Sequence, residues 1–518
     1  MIVVSFWACA GKGGVATAPD PAIVAAAEAD LAEAATLSAA ACYVPLKKAY
    51  GIYKELYAIA SLRERVALPF LKTCLLLSLR EKDVGILDPA RTSLNTADEI
   101  VRTHRSLAGY KDWAEMAALI TPSSGGVQKD IEIKFDSRMD RLKVLDRLLA
   151  ERDGLRARAA ADEFLAGLYA AWNCSTVPLQ KQPEDPAALL AMFPDSILLK
   201  YQTAICGQLP DRQALEAIVV DRPDFYEARL HLGELHIRDG VVLTAEKELL
   251  KAYEGIPDSP QVLILLGSVY YAVEEFEKGL EFYDKTLAVS PEYRDALLGK
   301  AVCLASLRRY EESIAVLDRI VALGYWLLGE SNYWLSWNKH ELKRNAEALA
   351  CIDEAKMRLP MNSEVFGLSG TIAFELGQND RAEKDFRESL QYNASNTESL
   401  FGLGNVEAKN GKWAESAGFY EKASQVMDGS IASAMAKAEE ISRSPMTEDR
   451  KARLLRRNEQ KRQSLLFSRA TACYCAATSR MNAEDAPGAR RLAAMASEHP
   501  SYKAKAEELL KKLGGRRP

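Results

Sequence analysis

Apolar and small residues broken by charge at helical spacing run along most of the chain. Stretches such as "AIVAAAEADLAEAATL" and "RARAAADEFLAGLYAAW" predict amphipathic helices across Asp20 to Cys174. Breaks fall at "GILDPARTS" and "TPSSGG". The most apolar stretch of the body, "VALPFLKTCLLLSL" at Val66 to Leu79, is 14 residues long and carries Lys72. It is too short to cross a bilayer and reads as a buried helix. "STVPLQKQPEDP" at Ser175 to Pro186 predicts a linker.

Beyond that linker the pattern becomes periodic. A proline is followed ten residues later by a small residue at Pro194 and Ala204, Pro223 and Gly233, Pro257 and Gly267, Pro291 and Ala301, and Pro360 and Gly370. Gly233, Gly267 and Ala301 are 34 apart; Ser336 follows at 35, then Gly370 and Gly404 at 34 each. A fixed period in this range predicts a helical repeat array rather than one compact core. After Asp428 the period fades into helices expected near Ile431–Ile441, Thr447–Thr478 and Ser501–Leu513.

Within the period the residue types are also fixed. "VLILLGSVYYAVEEFEKGLEFYDKTLAVSP" carries Leu266, Gly267, Tyr270, Gly279, Tyr283 and Pro291. The later copies carry Phe366, Gly370, Ala382, Phe386 and Ser389, then Leu403, Gly404, Ser416, Tyr420 and Ala423. This pattern closely resembles the tetratricopeptide repeat family. The resemblance covers Tyr226 to Asp428 as six units, with Pro194 to Arg222 as a shortened one. Trp326 to Pro360 departs most, having Ser336 for Gly and Lys339 for Tyr. The resemblance implies an all-α fold: a right-handed superhelical solenoid of helix-turn-helix repeats, here with helical N- and C-terminal extensions. Small residues let the paired helices approach, and the bulky residue 16 positions later fills the gap beside them. The expected organisation is a signal or anchor segment with tether at 1–19, a helical region at 20–174, the linker at 175–186, the array at 187–428 and a helical cap at 429–518.

Composition alters this picture little. The chain has 67 basic and 72 acidic residues, which gives no bulk attraction to nucleic acid. No catalytic motif is present, and the nine cysteines form no Cys-x-x-Cys set. They read as buried thiols, with pairing open if the protein is exported. His231 and His236 lie five apart, on different helix faces, so no metal site and no cofactor are expected. The basic run "DRKARLLRRNEQKRQ" at Asp449–Gln463 reads as a solvated helix face, with an anionic surface or acidic partner as the alternative.

The N-terminal "MIVVSFWACAGKGGVATAPDP" looks like part of a phosphate loop, but Ala16-Thr17 stands where that motif continues with Lys. It also resembles a bacterial lipoprotein signal: an apolar run, Ala8, then Cys9 as the lipidation site, then a small-residue tether. Phe6, Trp7 and the lack of a basic segment before the apolar run depart from that pattern. The reading implies a periplasmic, lipid-anchored protein, with a disordered cytoplasmic N-terminus as the alternative.

The family register places Tyr271, Tyr333, Trp337, His340, Phe374, Phe401 and Asn405 on the concave face, with Glu330, Glu341, Glu364, Glu375 and Glu398 mapped to the same surface. Groove and inter-repeat core both remain open for the aromatics, and Trp334 is assigned to the core. The family's clamp for C-terminal carboxylates is not matched, since only Asn405 fits. The expected function is a non-catalytic scaffold that holds a protein or peptide in this groove, in an envelope assembly of transporter or secretion type. The alternatives are an enzyme-associated or regulatory subunit with an unrecognised site in the N-terminal region, and a cytosolic scaffold.

Overall fold

The structure, a computed structural model, describes residues 21–86, 92–120, 135–176, 186–206, 209–324, 328–444 and 446–514. The described residues hold helices and no strand. They divide into two units, one running to Val269 with Glu281–Tyr293, the other Tyr270–Leu280 with the residues from Arg294 onward.

In the first unit, α1 (Pro21–Ala39), α2 (Tyr43–Ala58) and α3 (Arg63–Asp83) precede shorter helices and then α4 (Tyr226–Arg238) and α5 (Val242–Gly255), the first full repeat pair. The N-terminal helices and the repeats share a core in which Cys42 packs with Tyr201, Phe225, Ala228 and Leu232. Polar groups are buried there too. Glu227 of α4 accepts the Tyr43 N–H at 2.5 Å, capping α2. The Arg80 guanidinium donates to the Ala41 carbonyl at 2.8 Å and to Asp83 at 2.6 Å, and lies 4.4 Å over the Tyr201 ring. Burial pushes the Glu227 carboxyl up to about 7, against the pull of Arg80. Ser259 donates to the Val84 carbonyl, tying α3 to the next repeat. Cys174 and Cys206 form a disulfide across the segment read as a linker, of which 177–185 lie outside the described residues.

The remaining repeat helices are α6 (Pro260–Ala272), α7 (Phe276–Val289), α8 (Arg294–Ser306), α9 (Tyr310–Ala322), α10 (Leu328–Glu341), α11 (Asn345–Arg358), α12 (Ser363–Glu375), α13 (Asn379–Tyr392), α14 (Thr397–Lys409) and α15 (Trp413–Arg443). With α4 and α5 they make the six expected pairs. Close approach within a pair is enforced at the small residue: a Cβ on Gly267 would stand 2.7 Å from the Tyr283 ring, and one on Gly370 2.6 Å from Phe386. Phe386 is wedged from both sides, since a Cβ on Gly402 of the following repeat would stand 2.2 Å from it.

The turn inside each pair has its own period. Gly240, Glu274, Arg308, Lys343, Gly377 and Gly411 all have left-handed backbone, with φ between 60° and 76°. Each stands seven residues after the small position, and the next N–H reaches back to close the helix, as Glu275 to Tyr270 and Gln378 to Ala373 do at 2.8 and 2.9 Å. Glu484 repeats this geometry with φ 63°. Seven residues before it stands buried Ala477; Ala489, Ala493 and Ala496 occupy the matching positions of the following helix, all fully buried. The C-terminal region therefore contains a seventh pair, α16 (Glu448–Asn482) with α17 (Ala486–Ser497), followed by α18 (Pro500–Gly514). Ala477 lies 73 residues after Gly404, one period plus 39. Those extra residues lengthen α15 and α16 into an antiparallel hairpin, closed by an Asn458 side-chain bond to the Ala434 carbonyl at 2.7 Å. The helix expected at Ile431–Ile441 is thus a continuation of α15.

Candidate functional site

All seven expected groove residues fall in the second unit, on α6, α10, α12 and α14. Tyr333 and Trp337 lie one turn apart on α10, both half-buried over a core of Ala348, Ile352, Ala355, Val365, Leu368 and Ile372. Trp337 meets Tyr310 and Trp334 edge-on, each with ring centres 5.7 Å apart. Trp334 is also half-buried. The two tryptophans do not divide into one groove and one core residue; Trp337 has the core cluster beneath it.

The Tyr333 hydroxyl sits among charge. Burial raises its pKa first, and Glu364, Glu398 and the Tyr271 phenol add to the effect. Glu398 is exposed by area, yet desolvation by surrounding protein is the largest cause of its raised carboxyl pKa; the Thr371 hydroxyl and His340 oppose it, and Glu364 and Glu341 reinforce it. Thr371 donates to Glu398 at 2.7 Å. Among the described residues neither Glu364 nor Glu398 has an ion-pair partner.

The other expected residues are more occupied. His340 is buried, its Nδ1 3.1 Å from the Asn345 side-chain oxygen, and Asn345 donates onward to Glu375 at 2.8 Å. Phe374 rests on the Phe386 core with Lys409 5.7 Å over its ring. Phe401 stacks edge-on against Tyr420 at 5.5 Å, and Asn405 accepts the Tyr420 hydroxyl at 2.6 Å. Tyr271 is half-buried against Phe276 and carries a raised phenol pKa, from burial first. The structure thus brings Tyr271, Tyr333, Glu364 and Glu398 together, with Glu341 and His340 within electrostatic range. Phe401 and Asn405 form a separate set with Tyr420.

The basic run is not a free solvated face. Arg450, Arg457 and Lys461 of α16 meet the turn at Glu274–Glu277, more than 170 residues earlier in sequence. No charge pattern within either segment encodes that pairing, although the run Glu274-Glu275-Phe276-Glu277 is a fitting counterpart. The six unbonded cysteines of the described residues are buried or half-buried, and burial pushes the Cys42 and Cys303 thiols up to about 12, which leaves them unreactive. A cavity of about 170 Å³ in the first unit, lined by Tyr43, Lys47, Lys48 and the Gly255–Ser259 turn, is below the usual size of a small-molecule site. The described residues hold no cluster suited to a metal ion and no helix long and apolar enough to cross a membrane. Cys9 lies outside them.

Residues 264–324 and 368–428 match the model of the tetratricopeptide repeat family, so the chain contains tetratricopeptide repeats. It is similar to protein O-mannosyl-transferase TMTC1 of Homo sapiens, 26% identical over 39% of this chain and 23% of that one. It is also similar to anaphase-promoting complex subunit 3 of Schizosaccharomyces pombe, 24% identical over 36% and 29%, and to ER membrane protein complex subunit 2-A of Xenopus laevis, 25% identical over 32% and 56%. The chain thus spans about a quarter to just over half the length of these relatives. Among solved structures, Pseudomonas aeruginosa pilF aligns with 20% identity and a TM-score of 0.36, over 41% of this chain and 97% of that one.

Proposed function

We propose that the tetratricopeptide array is a non-catalytic scaffold whose face around Tyr271, Tyr333, Glu364 and Glu398 receives a protein segment bearing apolar side chains with Lys or Arg. The observation that carries this reading is the pair of carboxylates, Glu364 and Glu398, both acting on the half-buried Tyr333 and neither with an ion-pair partner among the described residues. A partner's cation placed there relieves carboxylate repulsion, while the rings supply apolar contact. Such a cation stabilises the ionised form of Glu398, so capture strengthens as pH rises through its raised pKa.

The carboxylates test this better than the tryptophans, because truncating Trp337 also removes core packing. A photo-crosslinking residue at position 371 of the full chain, beside Glu398, identifies the partner. Glu364→Ala with Glu398→Ala is expected to cut capture about tenfold, mainly through slower association, with melting unchanged. Undiminished capture by that double variant refutes the site.

The compartment we infer is an oxidising one, with the chain anchored through a lipid on Cys9 and gathering envelope components into an assembly. The Cys174–Cys206 disulfide supports this, since such bonds persist outside the reducing cytosol. Metabolic labelling with a radioactive fatty acid checks the anchor. Label that survives Cys9→Ala, or no label on the wild type, removes it.

A further inference from the structure

We infer that the α15–α16 hairpin is an intramolecular clasp: it holds its own basic helix on the acidic turn beside Tyr271, at one end of the proposed binding face, and yields that turn to a basic segment of a partner. This rests on the reading of that face just given, and it adds the occupant and the regulation.

The hairpin is an insertion, and its reach has one consequence. Arg450, Leu454, Arg457 and Lys461 stand at helical spacings of four, three and four, so they share one face of α16. Leu454 is buried. Arg450 donates from Nε and Nη2 to the two oxygens of the Glu275 carboxylate, at 3.3 and 3.0 Å, and its guanidinium lies 5.8 Å over the Tyr270 ring. Arg457 donates to the Glu274 carbonyl and pairs with Glu277 at 3.2 Å; Lys461 pairs with Glu274 at 3.1 Å. Three cations meet three carboxylates, and Lys461 also acts electrostatically on the Tyr271 phenol.

The contact is graded in strength. Arg450 and Glu275 are 14% and 8% exposed, so theirs is a desolvated, bidentate pair. The Lys461–Glu274 pair is 61% and 38% exposed and is open to screening by salt. An exposed rim with a buried anchor is suited to exchange: a competitor can displace the rim before the anchor lets go. Three of the six repeats, at Gly240, Gly377 and Gly411, fill the left-handed turn position with glycine; Glu274, Arg308 and Lys343 hold it with a side chain, Glu274 at φ 61°. A side chain there is tolerated against backbone preference, and that of Glu274 is a clasp ligand.

The probe is a fluorescent peptide of residues 447–465 of this chain, added to full-length protein. Arg450→Ala/Arg457→Ala/Lys461→Ala protein is expected to bind it saturably, at least about tenfold tighter than wild type, and to lose most of that binding near 1 M salt, where screening reaches about 3 Å. Glu274→Gly/Glu277→Ala, added to the triple variant, is expected to abolish binding; Gly at 274 is what three other repeats carry, so the fold is kept. Hydrogen exchange over Tyr271–Glu277 should quicken in the triple variant and slow again with peptide. Equal peptide binding by wild type and triple variant, or none by the triple variant while its melting curve stays wild-type, overturns the clasp. The Glu364→Ala/Glu398→Ala variant separates the two readings: its failure to weaken partner capture leaves peptide exchange at the turn untouched.

Discussion

Raising the pH from the ordinary carboxyl range through neutrality is expected to loosen the N-terminal helices from the first repeat, through one residue. Glu227 is fully buried, holds the N-terminus of α2 by the Tyr43 N–H, and has a second carboxyl oxygen without a hydrogen-bond partner. Burial lifts its pKa from 4.5 to about 7; Arg80 and the Tyr43 N–H pull it down, and Asp83 pushes it up. A folded-state pKa above the unfolded one means that the folded chain binds the proton more tightly. The contribution is complete below the unfolded pKa and is lost as pH rises through the folded one. Each unit is worth about 1.4 kcal/mol, so the swing is on the order of 3 kcal/mol. Glu227→Gln keeps an acceptor for Tyr43 and removes the titration. Urea unfolding of both proteins between about pH 5 and about pH 8, with hydrogen exchange of the first turn of α2, measures the gap between them. It should shift against the wild type as pH rises. A gap constant to within about 1 kcal/mol across that range refutes the assignment.

Three further outcomes rest on packing and on the cross-link. Phe386→Ala leaves a cavity between Gly370 and Gly402 and should cost about 3–5 kcal/mol, with exchange protection lost first over Ser363–Lys409; Gly402→Ala, which drives a Cβ into the same ring, should cost about 1–3 kcal/mol, and an unchanged urea midpoint for it would show that the ring is not wedged. The Cys174–Cys206 bond spans 32 residues, so Cys206→Ser should lower stability by about 3–4 kcal/mol, and thiol labelling of the denatured, unreduced protein should count two cysteines fewer than after reduction.

The repeat array was legible in the chain because its signals are local and recur. Gly233, Gly267, Gly370 and Gly404 mark places where a Cβ would strike the residue 16 positions later, and that constraint is carried inside every unit. The left-handed turn was half legible, since Gly240, Gly377 and Gly411 announce it whereas Glu274, Arg308 and Lys343 do not. The seventh pair was present in Ala477, Ala489 and Ala496 but hidden by the 39 inserted residues that broke its phase.

Of the candidate face, the register of the tetratricopeptide resemblance marked Tyr271, Tyr333, Glu364 and Glu398; what it could not say is that Trp337 has core beneath it, or that Asn405 is already bonded to Tyr420. Pairings across long separations were decided by tertiary structure: Glu227 with Tyr43, Cys174 with Cys206, and Arg450 with Glu275. A periodic constraint is repeated in sequence and can be read from it. A contact between segments more than 170 residues apart depends on how many helices lie between and how far a hairpin reaches, and no short stretch of the chain contains either length.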